Sequence, residues 1–133
     1  MRAADVIQPD PAHCGGLAVT KKIAAMAEAQ DITVSPHCSV GPVALCAAIH
    51  FDWATPNVRS QENFAEYDVP WRNDLVCGWN PINNGEFLLP DKPGLGIELN
   101  EAACKAHPYK KNSFPSLWDK QWLTDFTQSE MKE

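Results

Sequence analysis

Residues 4–16 read Ala-Asp-Val-Ile-Gln-Pro-Asp-Pro-Ala-His-Cys-Gly-Gly, and residues 32–38 read Ile-Thr-Val-Ser-Pro-His-Cys. Each is a short apolar run that ends on a proline followed by one ionisable residue, Asp10 in the first and His37 in the second. Asp5 to Pro9 reads as a buried strand, and the β-branched run Ile32 to Ser35 as another. Between them Gly15-Gly16 marks a tight strand-to-helix turn, and Leu17 to Gln30 follows, rich in Ala and Lys. Val19, Ile23, Met26 and Ala27 share one predicted helical face, with Lys21, Lys22 and Glu28 elsewhere. Gly41-Pro42 opens a second apolar helix, Val43 to Trp53, with Pro42 suited to its first turn. Thr55-Pro56 ends that helix, and Val58 to Asn63 reads as a third strand.

Strand–helix–strand–helix–strand with short connections predicts an α/β fold, because parallel strands need a long crossover and helices of this length supply it. The repeat length carries further information. Asp10 and His37 are 27 residues apart, and His37 and Glu62 are 25 apart. Three polar residues are thus expected at the C-terminal ends of three successive strands, the rim where α/β folds place their chemistry.

Beyond Glu62 the texture changes. Pro70, Pro81, Pro90 and Pro93 exclude a long helix. Gly85 to Leu89 and Leu95 to Leu99, on either side of Pro90-Asp91-Lys92-Pro93-Gly94, read as a hairpin or two short strands. Further on, Trp118, Trp122 and Phe126 recur every fourth residue, with Ser116 and Asp119 placed as a capping box, which predicts a short amphipathic helix. The chain therefore divides into strands and helices over 1–63, a loop or hairpin segment over 64–108, and a tail over 109–133.

Composition narrows the function classes. In 133 residues there are 17 acidic and 11 basic side chains, a net charge of −6, and the isoelectric point is about 5.1. No basic stripe exists to displace counterions from phosphates, which argues against a nucleic-acid partner. The strongly apolar stretch around Val43 to Ile49 is far shorter than the ~20 residues that span a bilayer, so no membrane partner is expected. The N-terminal Met-Arg-Ala-Ala-Asp has no apolar signal core. Five cysteines at irregular spacing do not suit a disulfide framework, and the reducing cytoplasm is the expected compartment.

At the strand ends, Asp10 beside His37 would form a carboxylate–imidazole pair that fixes the ring's tautomer and raises its basicity. Glu62, one strand further, could bond an oxygen on which charge develops. Such a set suits removal of a weakly acidic proton next to a carboxylate, chemistry that also calls for a strong electrophile such as a divalent metal. The doublets His13-Cys14 and His37-Cys38 lack zinc-ligand spacing, since neighbours on extended chain point to opposite sides. His50 reads as a packing or surface histidine and His107 as a loop histidine with no visible partner. Arg72, in Tyr67-Asp68-Val69-Pro70-Trp71-Arg72, could pair a substrate carboxylate or an acidic side chain of its own fold.

The same residues carry a resemblance. Val6 to Gly16, Lys22 to Glu28, Ser35 to Pro42, Pro56 to Glu62 and Lys92 to Leu99 together resemble the enolase superfamily, over about residues 4 to 100. Within it, the mandelate racemase/muconate lactonizing branch and its galactonate dehydratase-like acid-sugar dehydratases are the nearest match. The resemblance implies the C-terminal part of a (β/α)8 TIM-type barrel, about three βα units, followed by a segment returning toward a capping domain. It implies His37 as the base or acid at the substrate α-carbon, Asp10 as its orienter and Glu62 as the partner on the enolate side. It also implies a Mg2+-bound enediolate, loss of the β-hydroxyl giving a 2-keto-3-deoxy sugar acid, and a homo-oligomeric complete protein. A small sugar acid is the implied substrate.

The family's metal-binding carboxylates and its second acid/base residue have no counterpart here, so the Mg2+ ligands are expected in a missing N-terminal portion and none in this chain. A complete barrel takes about 250 residues, and a truncated or partial chain is the expectation. Its open strand edges predict poor folding, self-association and inactivity in isolation. The alternatives are a racemase or epimerase of the same superfamily, and a non-catalytic remnant or interaction module.

Overall fold

The computed structural model describes residues 3–64, 69–78 and 82–109. Its first half alternates as expected: β1 (Val6–Ile7), α1 (Leu17–Glu28), β2 (Thr33–Val34) and α2 (Pro42–Trp53). β1 and β2 pair in parallel, Val6 opposite Thr33 and Ile7 opposite Val34. Both are shorter than the apolar runs suggest, because Pro9 and Pro36 come just after Gln8 and Ser35 and neither has an N–H to continue a ladder.

The expected third strand is present as extended chain with a single parallel bridge, Val58 to Val34, rather than as a regular strand over Val58 to Asn63. The backbone bonds show why. The Val34 N–H donates to the Asn57 carbonyl at 2.9 Å, and the Arg59 N–H to the Val34 carbonyl at 2.8 Å. The next donor on β2 would be Pro36, which has none. The register then slips, so that the Glu62 N–H reaches the Pro36 carbonyl at 3.3 Å and the Gln61 side chain also donates to it.

Helices and strands meet through Ala24, Ala27, Val34 and Phe51, with Ile7, Ile32 and Val58 packed against them. α1 turns Thr20, Ala24 and Ala27 inward, which retains Ala27 of the face read from the sequence and corrects Met26. Val19 and Ile23 are half-buried, and Met26 is 73% exposed. Small side chains let the helix backbone approach the strands, so the alanine stripe, not the bulkier one, lies on the core. α2 starts on Pro42 as its first helical residue after an extended Gly41. It is buried on more than one side: Phe51 joins the strand-side cluster, while Leu45 and Ile49 pack with Cys38, Val40 and Phe87.

The second half lies over α2. A 3-10 turn (Arg72–Leu75) leads into β3 (Val76–Cys77), then β4 (Ile82–Asn83), β5 (Glu86–Phe87), β6 (Glu98–Leu99) and α3 (Glu101–Ala106). The two strands expected around Gly85 to Leu89 and Leu95 to Leu99 exist but are not partners of each other. β5 pairs antiparallel with β4, and β6 with β3. The β4–β5 hairpin turns at Asn84-Gly85, both with positive φ (51° and 79°), the backbone that two-residue hairpin turns require. The Leu95 carbonyl accepts from Cys46 Sγ at 3.1 Å and lies 3.2 Å from His50 Nε2, fastening the segment to α2. The helix expected around Trp118 to Phe126 lies outside the described residues. Among those described, no helix is long and apolar enough to cross a membrane.

Candidate acid–base site

The parallel arrangement brings Asp10, His37 and Glu62 together at the C-terminal ends of three neighbouring chain segments. Placement starts in the backbone: the His37 N–H donates to the Pro9 carbonyl at 3.3 Å, and Glu62 is set by its own N–H on Pro36. Asp10 is buried, 8% exposed. Its Oδ1 accepts the Ala12 N–H at 2.7 Å, and its Oδ2 lies 2.7 Å from His37 Nδ1. The opposite ring nitrogen, Nε2, is 3.6 Å from Glu62 Oε2, an ion-pair distance too long for a direct hydrogen bond. Glu62 Oε2 is itself held by the Cys38 N–H at 2.9 Å.

The electrostatics follow from these contacts. Burial disfavours the charged form of Asp10, but hydrogen bonds from His37, His13 and the Ala12 N–H outweigh it and hold the carboxyl below its ordinary value. The hydrogen bond to Asp10 raises the His37 value against an opposing desolvation, and the charges of Glu62 and Asp10 raise it further. The His37 side chain is 40% exposed, with Nδ1 engaged by Asp10. Cys38 is a poor nucleophile, because burial pushes its thiol up.

One contact was not anticipated from the sequence: His13 Nδ1 also lies on Asp10 Oδ2, at 2.8 Å. Its signal was the Asp-x-x-His spacing within a turn, which brings residues three apart onto the same side. In each His-Cys doublet the two side chains diverge. Cys14 Sγ pairs with Thr20 Oγ1 at 3.1 Å, and Cys38 joins the core. Arg72 is 3% exposed and donates to the Val40 carbonyl at 2.8 Å, bracing the loop after His37. His50 packs on the Leu95 carbonyl as expected of a packing histidine. His107, expected to lack a partner, stacks on Trp71 with ring centroids 4.0 Å apart and planes 5° from parallel.

The site's donor set does not fit a magnesium ion. That ion demands near-octahedral oxygen coordination, and Asp10 has both oxygens engaged by hydrogen-bond donors. Among the described residues no three His, Cys, Asp or Glu side chains are grouped to hold a metal. What the arrangement can do is move a proton at His37 Nε2, with Asp10 fixing the ring and Glu62 placing negative charge beyond it.

Fold and site together define an α/β protein whose acid–base groups gather at the C-terminal ends of parallel segments. The Enolase C-terminal domain-like family profile matches residues 1–103, and the chain belongs to that family. It is 42% identical over 104 residues to a D-galactonate dehydratase of Verminephrobacter eiseniae, covering 73% of this chain and 27% of that protein. It is 38% identical over 120 residues to a D-galactonate dehydratase of Xanthomonas campestris pv. campestris, covering 85% of this chain and 30% of the relative.

Among solved structures, a mandelate racemase/muconate lactonizing enzyme-like protein from Rubrobacter xylanophilus superposes with a TM-score of 0.76 at 40% identity, over 82% of this chain and 28% of that one. A mandelate racemase/muconate lactonizing enzyme from Jannaschia sp. gives 0.75 at 38% identity, with 82% and 28% covered. The chain thus spans under a third of the length of these curated relatives.

Proposed function

We propose that the chain is the C-terminal barrel portion of a cytoplasmic acid-sugar dehydratase, a hydro-lyase acting on a sugar acid of the galactonate kind. The observation that carries this reading is the line Asp10–His37–Glu62, with His37 Nδ1 2.7 Å from Asp10 and Nε2 3.6 Å from Glu62. The names of the curated relatives support the reaction class. On this reading residues 1–63 supply the last three barrel strands, 64–108 return toward a capping domain, and 109–133 form a tail. The complete protein would be a homo-oligomer.

In the reaction, His37 serves as base or acid at the α-carbon. As base, Nε2 takes the α-proton, and the C–H electron pair passes into an enediolate. The β-carbon–oxygen bond then breaks, the hydroxyl leaves as water by taking up one proton in exchange for the one His37 has accepted, and the enol rearranges to the 2-keto-3-deoxy acid. Asp10 keeps Nδ1–H oriented and favours the imidazolium. Glu62 is the partner on the enolate side. A magnesium ion held by the rest of the complete protein would supply positive charge to the substrate carboxylate. Its ligands would lie outside this chain, and for that reason the 133 residues alone would be inactive.

The test uses the full natural chain and D-galactonate in D2O. The wild type should yield the keto-deoxy acid, and His37→Asn should yield neither product nor α-deuterium exchange. Undiminished exchange in His37→Asn would remove His37 from the chemistry. Exchange by the wild type without keto product would replace dehydration with racemisation or epimerisation, which the names of the structural relatives also accommodate.

A further inference from the structure

Asp10 is shared between two histidines. Oδ2 lies 2.7 Å from His37 Nδ1 and 2.8 Å from His13 Nδ1, while Oδ1 takes the Ala12 N–H. An ionised carboxylate only accepts, so each ring must carry its hydrogen on Nδ1 to bond it. The backbone fixes His13 there. Its N–H donates to the Asp10 carbonyl at 3.0 Å, and the Cys14 N–H to the same carbonyl at 2.8 Å. This closes a turn that returns residue 13 onto the carboxylate three positions earlier. The His13 side chain is 65% exposed, against 9% for that of Asp10. His37 therefore approaches Asp10 from the neighbouring strand, and His13 approaches it from solvent.

Two donors on one oxygen compete for the same electron density. Whatever His13 does to stabilise the carboxylate reduces what Asp10 offers an imidazolium at His37, and a charged His13 repels that imidazolium as well. We propose that His13 is a positioning residue that sets the proton affinity of His37 through the shared Asp10 carboxylate. The coupling has catalytic meaning insofar as it rests on His37 being the acid–base group. The other ionisable groups around the pair are Glu62, 3.6 Å from His37 Nε2, the buried Cys38 thiol, and Arg72, held to the Val40 carbonyl. Cys14, on the turn itself, is engaged with Thr20. None of these replaces His13 at Oδ2 among the described contacts.

The test follows the His37 ring nitrogens by NMR from pH 5 to 9 in the full natural chain labelled with 15N-histidine. Wild type, His13→Ala and His13→Asn are compared. His13→Ala should raise the proton affinity of His37 roughly two- to five-fold, the range of one partly exposed charged contact. In His13→Asn the amide nitrogen stands near the place of Nδ1. It restores a neutral donor and should return His37 toward the wild-type affinity. An unchanged His37 titration in His13→Ala would overturn the proposal, as would a lowered affinity, which would make His13 a support of the pair rather than a competitor. The pH profile of turnover in the same variants should shift with the NMR titration. A titration that moves while the turnover profile stays fixed would uphold the coupling and refute His37 as the acid–base group.

Discussion

Asp52 allows a prediction worked from burial alone. It sits near the C-terminal end of α2 and lines a cleft of about 370 Å3 with Ile49, Trp53, Val58 and Phe87. Its Oδ1 is buried and has no hydrogen-bond partner among the described residues. Burial pushes its carboxyl from 3.8 up to about 7. Between those values the folded chain binds a proton that the unfolded chain releases, so stability falls as pH rises through the window and levels off above pH 7.

At ~1.4 kcal/mol per pH unit the full shift is worth ~4 kcal/mol, and water relaxing around a half-buried carboxylate reduces the expected loss to about 1–3 kcal/mol. Asp52→Asn keeps the shape and removes the ionisation. It should match wild type near pH 3, below the unfolded value of 3.8, and exceed it by that amount at pH 8, measured as urea unfolding of the full natural chain. A difference between the two proteins that stays constant from about pH 3 to 8 would refute the reasoning. So would an Asn variant less stable than wild type at pH 8, because the carboxylate would then be solvated or paired.

Asp10 and His37 make the opposite case, two shifts that stabilise. The lowered Asp10 value adds stability above pH 3.8 that is lost as pH falls, and the raised His37 value adds stability below pH 6.5 that is lost as pH rises through its folded value. Asp10→Asn should therefore destabilise most near pH 5.5 and less at pH 3 or 8 in the same urea assay; an equal loss at all three would count against the pair. Gly96→Ala introduces a Cβ that collides with Pro90 Cβ and lies 3.3 Å from the Lys92 carbonyl, at a φ of +72°. It should cost about 2–4 kcal/mol and speed the reaction of Cys46 with a thiol reagent as the neighbouring Leu95 carbonyl is displaced. An unchanged unfolding midpoint with Cys46 still protected would contradict this.

Much of the fold was legible because βα repeats impose regular spacing. Intervals of 27 and 25 residues put Asp10, His37 and Glu62 at equivalent heights, and Pro42 marked the start of α2. The register of the third segment was not legible in the same way. It depends on a donor that Pro36 lacks, a property of the neighbouring strand rather than of Val58 to Asn63. The buried face of α1 was read correctly at Ala27 but misjudged at Met26, because side-chain size was read as depth, whereas close helix–strand approach favours Ala24. The Asn84-Gly85 turn is a strong local hairpin signal that outranks the symmetric arrangement of Gly85 to Leu89 and Leu95 to Leu99 around the proline-rich stretch. Arg72 and His107 found partners, Val40 and Trp71, through tertiary placement that no local pattern carries.

The double burial of α2 bears on how this protein tolerates recombination. A helix that meets strands on one side alone can be exchanged between relatives together with its preceding strand. Here Leu45, Cys46, Ile49 and His50 meet Phe87 and Leu95, residues encoded some forty positions downstream. A chimera that imports residues 42–53 without 82–96 would join two halves of an interface with different histories. The heritable module in this part of the chain is thus discontinuous in sequence, and crossover points between residues 54 and 81 divide it.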